Sequence, residues 1–177
     1  MPRLITKAKI ACLDMNLMKS RMMMGVQVVV NDPKELERIR EKEYDITRDR
    51  IRMMLNAGAN VILTTKGIDD MALKYFVEAG ALACRRVPKD DLKRIARATG
   101  ATVIVALADM EGNETFDPSC LGEAEEVVEE RVADDNMVMI KGGKCGRATT
   151  LLLRGANDLM LDEMDRCVPA CASLPLI

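Results

Sequence analysis

Between Asn60 and Ala108 short apolar runs alternate with helical stretches, and this alternation constrains the fold more than any other feature of the chain. Strands are predicted at VILTT (61–65), ALACRRV (81–87) and TVIVAL (102–107), and helices at residues 69–79 and 90–98, ending at Gly80 and Gly100. Strands joined by single short helices lie parallel, with right-handed crossovers. The sequence therefore predicts an α/β fold with a parallel β-α-β-α-β layer.

The flanking segments are typical of antiparallel strands. Strands are predicted at residues 8–14 and 25–30, at 125–132 and 137–143 around an Asp/Asn turn, and at 148–155. A last helix is predicted at residues 157–167, with Asn157 as its cap. Residues 168–177 fit neither helix nor strand, and Pro169 and Pro175 favour a loose tail whose origin the sequence leaves open.

A strongly charged helix is predicted from Asp32 to Gly58. Asp32 is a suitable N-cap, Pro33 is tolerated at the first helical position, and Gly58 supplies the stop. Its apolar residues over most of its length are few, and they include Leu36, Ile39, Tyr44 and Ile46. A core-facing helix needs a wider apolar stripe. We therefore expect residues 31–57 to project from the domain and to contact a partner.

Composition predicts a cytoplasmic, reduced protein. The 177 residues are 49% hydrophobic and 31% charged, with neither a membrane-spanning run nor a signal peptide. The six cysteines form no C-x-x-C pair, so neither a zinc site nor a disulfide is expected. The net charge of −2, with 2% aromatic residues, argues against nucleic acid as a partner.

The charge is nevertheless segregated along the chain. Residues 85–97 are basic, whereas residues 107–136 are acidic and contain Arg131 as their only base. Solvated faces are the favoured interpretation of both runs, although adjacent copies of such a domain could pair opposite faces.

No catalytic, cofactor or metal site is expected. The chain lacks histidine and has neither a G-x-x-x-x-G-K-[ST] nor a G-x-G-x-x-G motif after a strand. Gly67 opens a helix, but Asp69 and Asp70 would repel a phosphate placed there. Neighbouring glutamates such as Glu125 and Glu126 point to opposite faces of a strand, so they cannot converge on one atom.

The helix at residues 69–79 is the first candidate for a binding surface. Helical spacing places one side against the sheet, namely Ile68, Met71, Ala72, Tyr75, Phe76 and Ala79. The opposite face carries Asp70, Leu73, Lys74, Val77 and Glu78. Two apolar residues on a polar face indicate either scattered surface side chains or a strip that accepts exposed peptide, and the first is favoured on these residues alone.

The second candidate is the methionine-rich linker at residues 15–24. Its expected binding residues are Leu17, Met18, Arg21 and Met22. Methionine is flexible and polarisable, so methionine-rich surfaces adapt to varied apolar partners. The alternative is that the methionines fill gaps in the core, but several consecutive residues cannot all face inward on an extended strand.

The string GIDDMALKYFVEAGALACRRVPKDDLKRIARATGA (67–101) resembles the apical-domain signature of group II chaperonin subunits. The resemblance spans residues 3–167 and includes AKIACLD (8–14), DPKELERIREKE (32–43), NAGAN (56–60), LGEAEEVVEER (121–131) and LLLRGANDLMLDEMDR (151–166). The sequence VPACASLPLI (168–177) departs from the family, as a splice product, a frameshift or a vector tail would.

This resemblance implies a function for both candidates. The charged helix is similar to the protrusion that closes the ring cavity as a built-in lid, including Leu36, Ile39, Tyr44 and Ile46. The helix at 69–79 and the methionine-rich linker are similar to the surface that binds non-native clients of the actin and tubulin type. The partners implied are such clients and other subunits of a hetero-oligomeric double ring, with ATP and Mg²⁺ bound elsewhere in the full-length subunit. The chain alone is expected to be a monomer or weak oligomer without ATPase activity.

Two alternatives stay open on the residues themselves. A small nucleotide-binding α/β protein would give a defined heat of binding when titrated with ATP. A passive structural module, whose protrusion only makes ring contacts, would capture no client.

Overall fold

A computed structural model describes residues 1–19, 29–30, 32–108, 114–132, 134–145 and 148–172 of the 177-residue chain. The chain divides into two units, residues 1–147 and 148–177. Among the described residues, no helix is both long and apolar enough to span a membrane.

The first unit contains six strands and three α-helices within the described residues. Their bounds are β1 (Leu4–Leu13), α1 (Pro33–Asn56), β2 (Val61–Thr64), α2 (Asp70–Glu78), β3 (Leu82–Cys84), α3 (Lys89–Thr99), β4 (Val103–Ile104), β5 (Gly122–Val132) and β6 (Asp135–Gly143). A short 3₁₀ turn (Pro118–Cys120) precedes β5. The second unit contains one helix, α4 (Asp158–Ala172).

The strands form one mixed sheet in the order β3-β2-β1-β5-β6, and β4 also pairs with β1. Strands β1, β2, β3 and β4 run parallel, whereas β5 runs antiparallel to both β1 and β6. Two strands share one edge of β1, because β5 pairs with residues 4–10 and β4 with residues 12–13. The expected parallel β-α-β-α-β layer with antiparallel strands beside it is confirmed. The strand expected at residues 8–14 was assigned to the flanking antiparallel strands, but β1 lies in the middle of the sheet and runs parallel to β2 and β4.

Alternate residues of β1 belong to two cores. Ile10 and Cys12 join a cluster that contains Leu92 and Ala96 of α3. Ala11 and Leu13 join a second cluster with residues of α1 and α2. Side chains of a strand alternate between the two faces of its sheet, so α3 covers one face and α1 with α2 covers the other.

Strand β1 changes its alternation at Lys7, which has a left-handed backbone with φ 51°. The inward-facing residues are Ile5 before this point and Ala8 and Ile10 after it. The Asn60 side chain bridges the distortion, because its Oδ1 accepts from the Lys9 backbone N–H and its Nδ2 donates to the Lys7 carbonyl. A non-glycine residue in this conformation is strained, so surrounding contacts must hold it there.

The charged helix α1 is confirmed with the expected bounds, but only its first part projects. Over residues 33–46 its side chains are exposed or half-buried, and we call this segment the arm. Thr47, Ile51 and Met54 are buried, and Ile51 and Met54 join the core that contains Phe76 of α2. The last part of the helix therefore packs within the core. The sequence analysis did not predict this burial because most residues of the segment are charged.

Three sequence predictions differ from the structure. Residues 148–155 form no strand, and Leu151 and Leu152 are exposed, because a strand needs a hydrogen-bonded neighbour that the described part of this unit does not provide. Helix α4 continues to Ala172 with Pro169 inside it, rather than ending at residue 167. The strand expected at 102–107 is reduced to Val103–Ile104. The strand expected at 25–30 lies largely outside the described residues.

We expect Lys7→Gly to increase the free energy of unfolding by about 0.5–1 kcal/mol, because glycine adopts a left-handed backbone without steric cost. Urea unfolding followed by circular dichroism measures this change. The matched control is Lys9→Gly on the same strand, which should destabilise the protein since no strain is relieved there. Equal destabilisation by both substitutions would contradict the assignment of strain to Lys7.

Candidate functional site

Helix α2 presents one face to solvent. The Asp69 side chain accepts a hydrogen bond from the Asp70 N–H at its start, and Gly80, with φ 68°, follows its end. Ala72 and Phe76 are buried against the sheet. The exposed side chains include four that the sequence predicted, namely Asp70, Lys74, Val77 and Glu78. Their surface position is as expected, and their binding role stays a prediction.

The apolar residues of this face differ from the sequence expectation. Leu73 is half-buried and packs against the core, so its side chain is not a free surface group. Met71 was expected to face the sheet but is 48% exposed, close to the 50% of Val77. The buried stripe is centred between Ala72 and Phe76, which leaves Met71 at its margin. Ala79 is also exposed rather than packed.

The chain segment after β1 is joined by hydrogen bonds to the segment before α2. The Leu17 N–H donates to the Gly67 carbonyl, and the Asp69 N–H donates to the Leu17 carbonyl, both at 3.2 Å. The Thr64 hydroxyl donates to the Met15 carbonyl at 2.8 Å. This pairing fixes the start of the methionine-rich linker beside the N-terminus of α2.

The four expected binding residues of the linker have different positions. Leu17 is 1% exposed and belongs to the core, so the expectation that its side chain meets a partner is wrong. Met18 is 42% exposed, and a Cβ at Gly67 would lie 2.8 Å from its Sδ, so its thioether lies directly before α2. Arg21 and Met22 lie outside the described residues.

The exposed side chains of α2 and the linker form one surface. We call it the α2 patch, and it consists of Asp70, Met71, Lys74, Val77 and Glu78 with Met18 beside the helix start. It combines apolar side chains with both signs of charge. Sequence reasoning missed Met71, although the spacing of Ala72 and Phe76 contained the signal.

Asp14, at the end of β1, connects the linker to two other elements. Its carboxylate contacts the Lys89 ammonium at 2.8 Å and accepts a hydrogen bond from the Thr65 hydroxyl. The hydrogen bond from Lys89, followed by that from Thr65, holds the pKa of the Asp14 carboxyl below its ordinary value of 3.8. Thr65 follows β2 and Lys89 begins α3, so this carboxylate links the ends of three chain segments.

The arm exposes the residues that the sequence assigned to the lid. Leu36, Tyr44 and Ile46 are exposed, and Ile39 is half-buried. Lys19 from the linker contacts the Glu43 carboxylate at 2.8 Å, and its ammonium lies 5.0 Å from the centre of the Tyr44 ring. The hydrogen bond with Glu43 raises the pKa of Lys19. The linker thus contacts the arm as well as the segment before α2.

A second charged contact holds the base of the arm. The Arg50 Nε lies 2.8 and 2.9 Å from the two carboxylate oxygens of Glu114, and its Nη2 also donates to Glu114. This hydrogen bonding raises the pKa of Arg50. A bidentate pair of this kind fixes direction as well as distance. Glu114 therefore constrains α1 where the helix enters the core.

The described residues contain no group of three or more His, Cys, Asp or Glu side chains placed to hold a metal ion. An open cavity of about 370 Å³ is lined by Lys7, Lys9, Glu123, Glu125 and Lys144 among others, and it is separate from the α2 patch. The α2 patch has charged and apolar side chains but no grouped nucleophile, base and orienting residue.

Comparison with known proteins places these features in a family. The profile of the TCP-1/cpn60 chaperonin family matches residues 1–174. The T-complex protein 1 subunit alpha of Arabidopsis thaliana is 66% identical over 168 residues, covering 95% of this chain and 31% of that protein. The corresponding subunit of Schistosoma mansoni is 59% identical, covering 94% and 30%.

More distant proteins show the same similarity. Thermosome subunit alpha of Aeropyrum pernix is 40% identical over 94% of this chain and 29% of that protein. The solved open-state monomer of a group II chaperonin from Methanococcoides burtonii aligns with a TM-score of 0.73 and 29% identity. That alignment covers 96% of this chain and 35% of the archaeal chain. The chain therefore spans about a third of the length of these relatives.

We expect Asp14→Asn to destabilise the protein at pH 7, because the charged carboxylate is the form that Lys89 and Thr65 stabilise. Its folded pKa is lowered, so this contribution is present above pH 3.8 and is lost as the pH falls through the folded value. Urea unfolding of both proteins from pH 7 downward should show the difference shrinking in acid. Asp90→Asn, at an exposed pair, is the control and should have little effect; a pH-independent loss for Asp14→Asn would contradict the electrostatic origin.

Proposed function

The chain belongs to the TCP-1/cpn60 chaperonin family, and we propose that it is the client-recognition and lid domain of an ATP-dependent cytosolic chaperonin. The α2 patch binds segments of non-native polypeptide, and the arm closes over the cavity in which they are held. The observation that carries this proposal is the α2 patch itself, in which Met71 and Val77 are exposed on one face of α2 and Met18 is exposed beside the helix start.

The support of the α2 patch suits it to binding. Phe76 and Ala72 anchor the helix in the core, while the linker is hydrogen-bonded to the segment before it. The exposed side chains therefore keep their relative positions, so binding does not require the backbone to become ordered. The conformational entropy lost on binding is then mainly that of the client.

The chemistry of the α2 patch suits varied clients. Met18 and Met71 are flexible side chains that pack against apolar groups of different shapes. Asp70, Lys74 and Glu78 keep the surface soluble and offer hydrogen bonds to a peptide backbone. Such a mixed surface binds weakly and broadly, as a folding chaperone requires for release. We propose clients of the actin and tubulin type on the resemblance described above.

The arm suits the role of a lid rather than of a binding site. The arm is long, charged and exposed, whereas the rest of α1 is held by Ile51, Met54 and the pair between Arg50 and Glu114. Leu36, Tyr44 and Ile46 are available to contact the arms of neighbouring subunits. A helix that packs in the core at one end and is exposed at the other is the form expected of a built-in lid.

The remaining functions belong to the rest of the full-length subunit. We propose that ATP and Mg²⁺ bind outside the third of the subunit that this chain represents, and that the whole subunit assembles with others into a double ring in the cytoplasm. Neither of the phosphate-binding motifs G-x-x-x-x-G-K-[ST] and G-x-G-x-x-G follows a strand in this sequence. On this proposal, the chain alone recognises clients without hydrolysing ATP.

We expect the double variant Met18→Ser, Val77→Ser to weaken capture of a chemically unfolded client about tenfold or more while leaving the thermal midpoint nearly unchanged. Both side chains are exposed, so little core packing is lost, whereas two apolar contacts with the client are removed. Capture is measured by binding of fluorescently labelled, denatured actin to the chain, diluted from denaturant.

The matched control is Val138→Ser, which removes an equally small exposed side chain from β6, far from α2 in the sheet order. It should leave capture unchanged. Leu73→Ser is expected to lower the thermal midpoint as well, because Leu73 packs on the core. Unchanged capture by the double variant would refute the α2 patch, and absence of capture by the wild-type chain would favour a passive structural module.

A further inference from the structure

Two oppositely charged surfaces of the first unit are not used by the α2 patch or the arm. The first, which we call the basic ridge, consists of Arg85, Arg86, Lys93, Arg94 and Arg97, all exposed at or near α3. The second is the tip of the hairpin formed by β5 and β6, with the exposed residues Glu130 and Asp135. Each surface has an excess of one sign of charge.

The charge of the basic ridge is only partly neutralised within the chain. Lys93 lies 3.7 Å from Asp90, and Arg94 lies 3.6 Å from Asp91, both as pairs within α3. Arg85, Arg86 and Arg97 have no ion-pair partner among the residues that the structure describes. Exposed pairs within a helix are weak, so Lys93 and Arg94 are also available to another partner.

The hairpin has the opposite imbalance. Residues 122–135 contain seven carboxylates and one base, Arg131. Lys141 lies 3.8 Å from Glu126, and Arg131 lies 3.8 Å from Asp134. Within the described ranges, the exposed Glu130 and Asp135 make no ion pair, so the tip is the part of the hairpin with uncompensated charge.

The geometry of the hairpin makes its tip accessible to another molecule. Pairing between β1 and β5 ends at Leu4 and Val128, whereas β5 and β6 remain paired as far as Val132 and Asp135. The tip beyond residue 129 therefore extends past β1 as a two-stranded ribbon. No ion pair joins the basic ridge to the tip within the described part of the chain, so both surfaces remain available to a second molecule.

We infer that the basic ridge of one chaperonin apical domain docks against the acidic hairpin tip of a second copy of this chain. This inference rests on the proposed function, because it describes how neighbouring domains of the ring contact one another. The ridge and the tip are different surfaces, so the contact is head-to-tail, and such contacts close into rings when the rotation permits. Charge complementarity provides the attraction and sets the direction.

The contact is expected to be weak in isolation. Exposed ion pairs contribute little each, and salt screens them over about 10 Å at 0.1 M ionic strength. In a ring the subunits are already held side by side, so a weak contact acts at high effective concentration. The isolated chain should therefore associate only when concentrated and at low ionic strength.

The test uses two variants of the chain, one with reversed charges on the basic ridge and one with reversed charges on the acidic tip. The first variant carries Arg94→Glu and Arg97→Glu, and the second carries Glu130→Lys and Asp135→Lys. In each variant alone, the two reversed side chains place like charges opposite one another in the contact, so it should associate about tenfold more weakly than the wild type. Their equimolar mixture restores both pairings, so association should return. Sedimentation velocity at low ionic strength, repeated at high salt, measures the association, and circular dichroism verifies folding.

A control separates docking from general attraction between opposite charges. The variant Arg38→Glu, Arg40→Glu has the same net charge as the first variant, but its changes lie on exposed residues of the arm. Because its basic ridge and its acidic tip are both unchanged, this variant alone should associate as the wild type does, whereas the first variant alone should associate about tenfold more weakly. Equal association of these two variants, or no association in the complementary mixture, would overturn the inference.

The same variants distinguish this inference from the proposed function. Neither charge-exchanged variant alters the α2 patch, so client capture by each should equal that of the wild type. Restored association together with absent capture in the wild type would leave the docking contact intact and refute client recognition. Normal capture without association in the complementary mixture would refute the docking contact alone.

Discussion

The structure depends on strand β1, which is hydrogen-bonded on both edges and buried on both faces. Residues 10–13 of this strand are at most 1% exposed, and their side chains alternate between the two cores. Because β2 lies on one edge while β5 and then β4 occupy the other, every element of the first unit is positioned relative to this strand. The segment that follows it begins with Asp14, whose contacts with Thr65 and Lys89 join it to the end of β2 and the start of α3.

The arm and the α2 patch share a core but present different chemistry. Met54 of α1 and Phe76 of α2 belong to the same buried cluster, so both elements have one rigid base. Above this base, the arm is charged along its length, whereas the α2 patch has exposed apolar groups between charges. Burial of apolar surface is the main source of affinity for unfolded chains, and this difference supports the proposal that clients bind the α2 patch while the arm closes over them.

The sequence predicted the parallel layer and the helices well, because buried β-branched runs and caps such as Asp69 act locally. The sequence did not predict the distortion at Lys7. The inward-facing positions of β1 and β5 shift at the same point of the pair, while the register between the two strands stays the same. The burial of Leu17 was missed since it depends on a bridge to Ile68, a contact distant in the chain. Leu73 was assigned to the surface because a helical wheel does not show how far the core extends around a helix.

The central claim is that clients bind the α2 patch and not the arm. Hydrogen–deuterium exchange by mass spectrometry, with and without a denatured client, tests it most directly. The account predicts slower exchange with client in peptides that cover residues 14–19 and 69–79, and no change over residues 33–46. Slower exchange confined to residues 33–46 would contradict it and would make the arm the binding element.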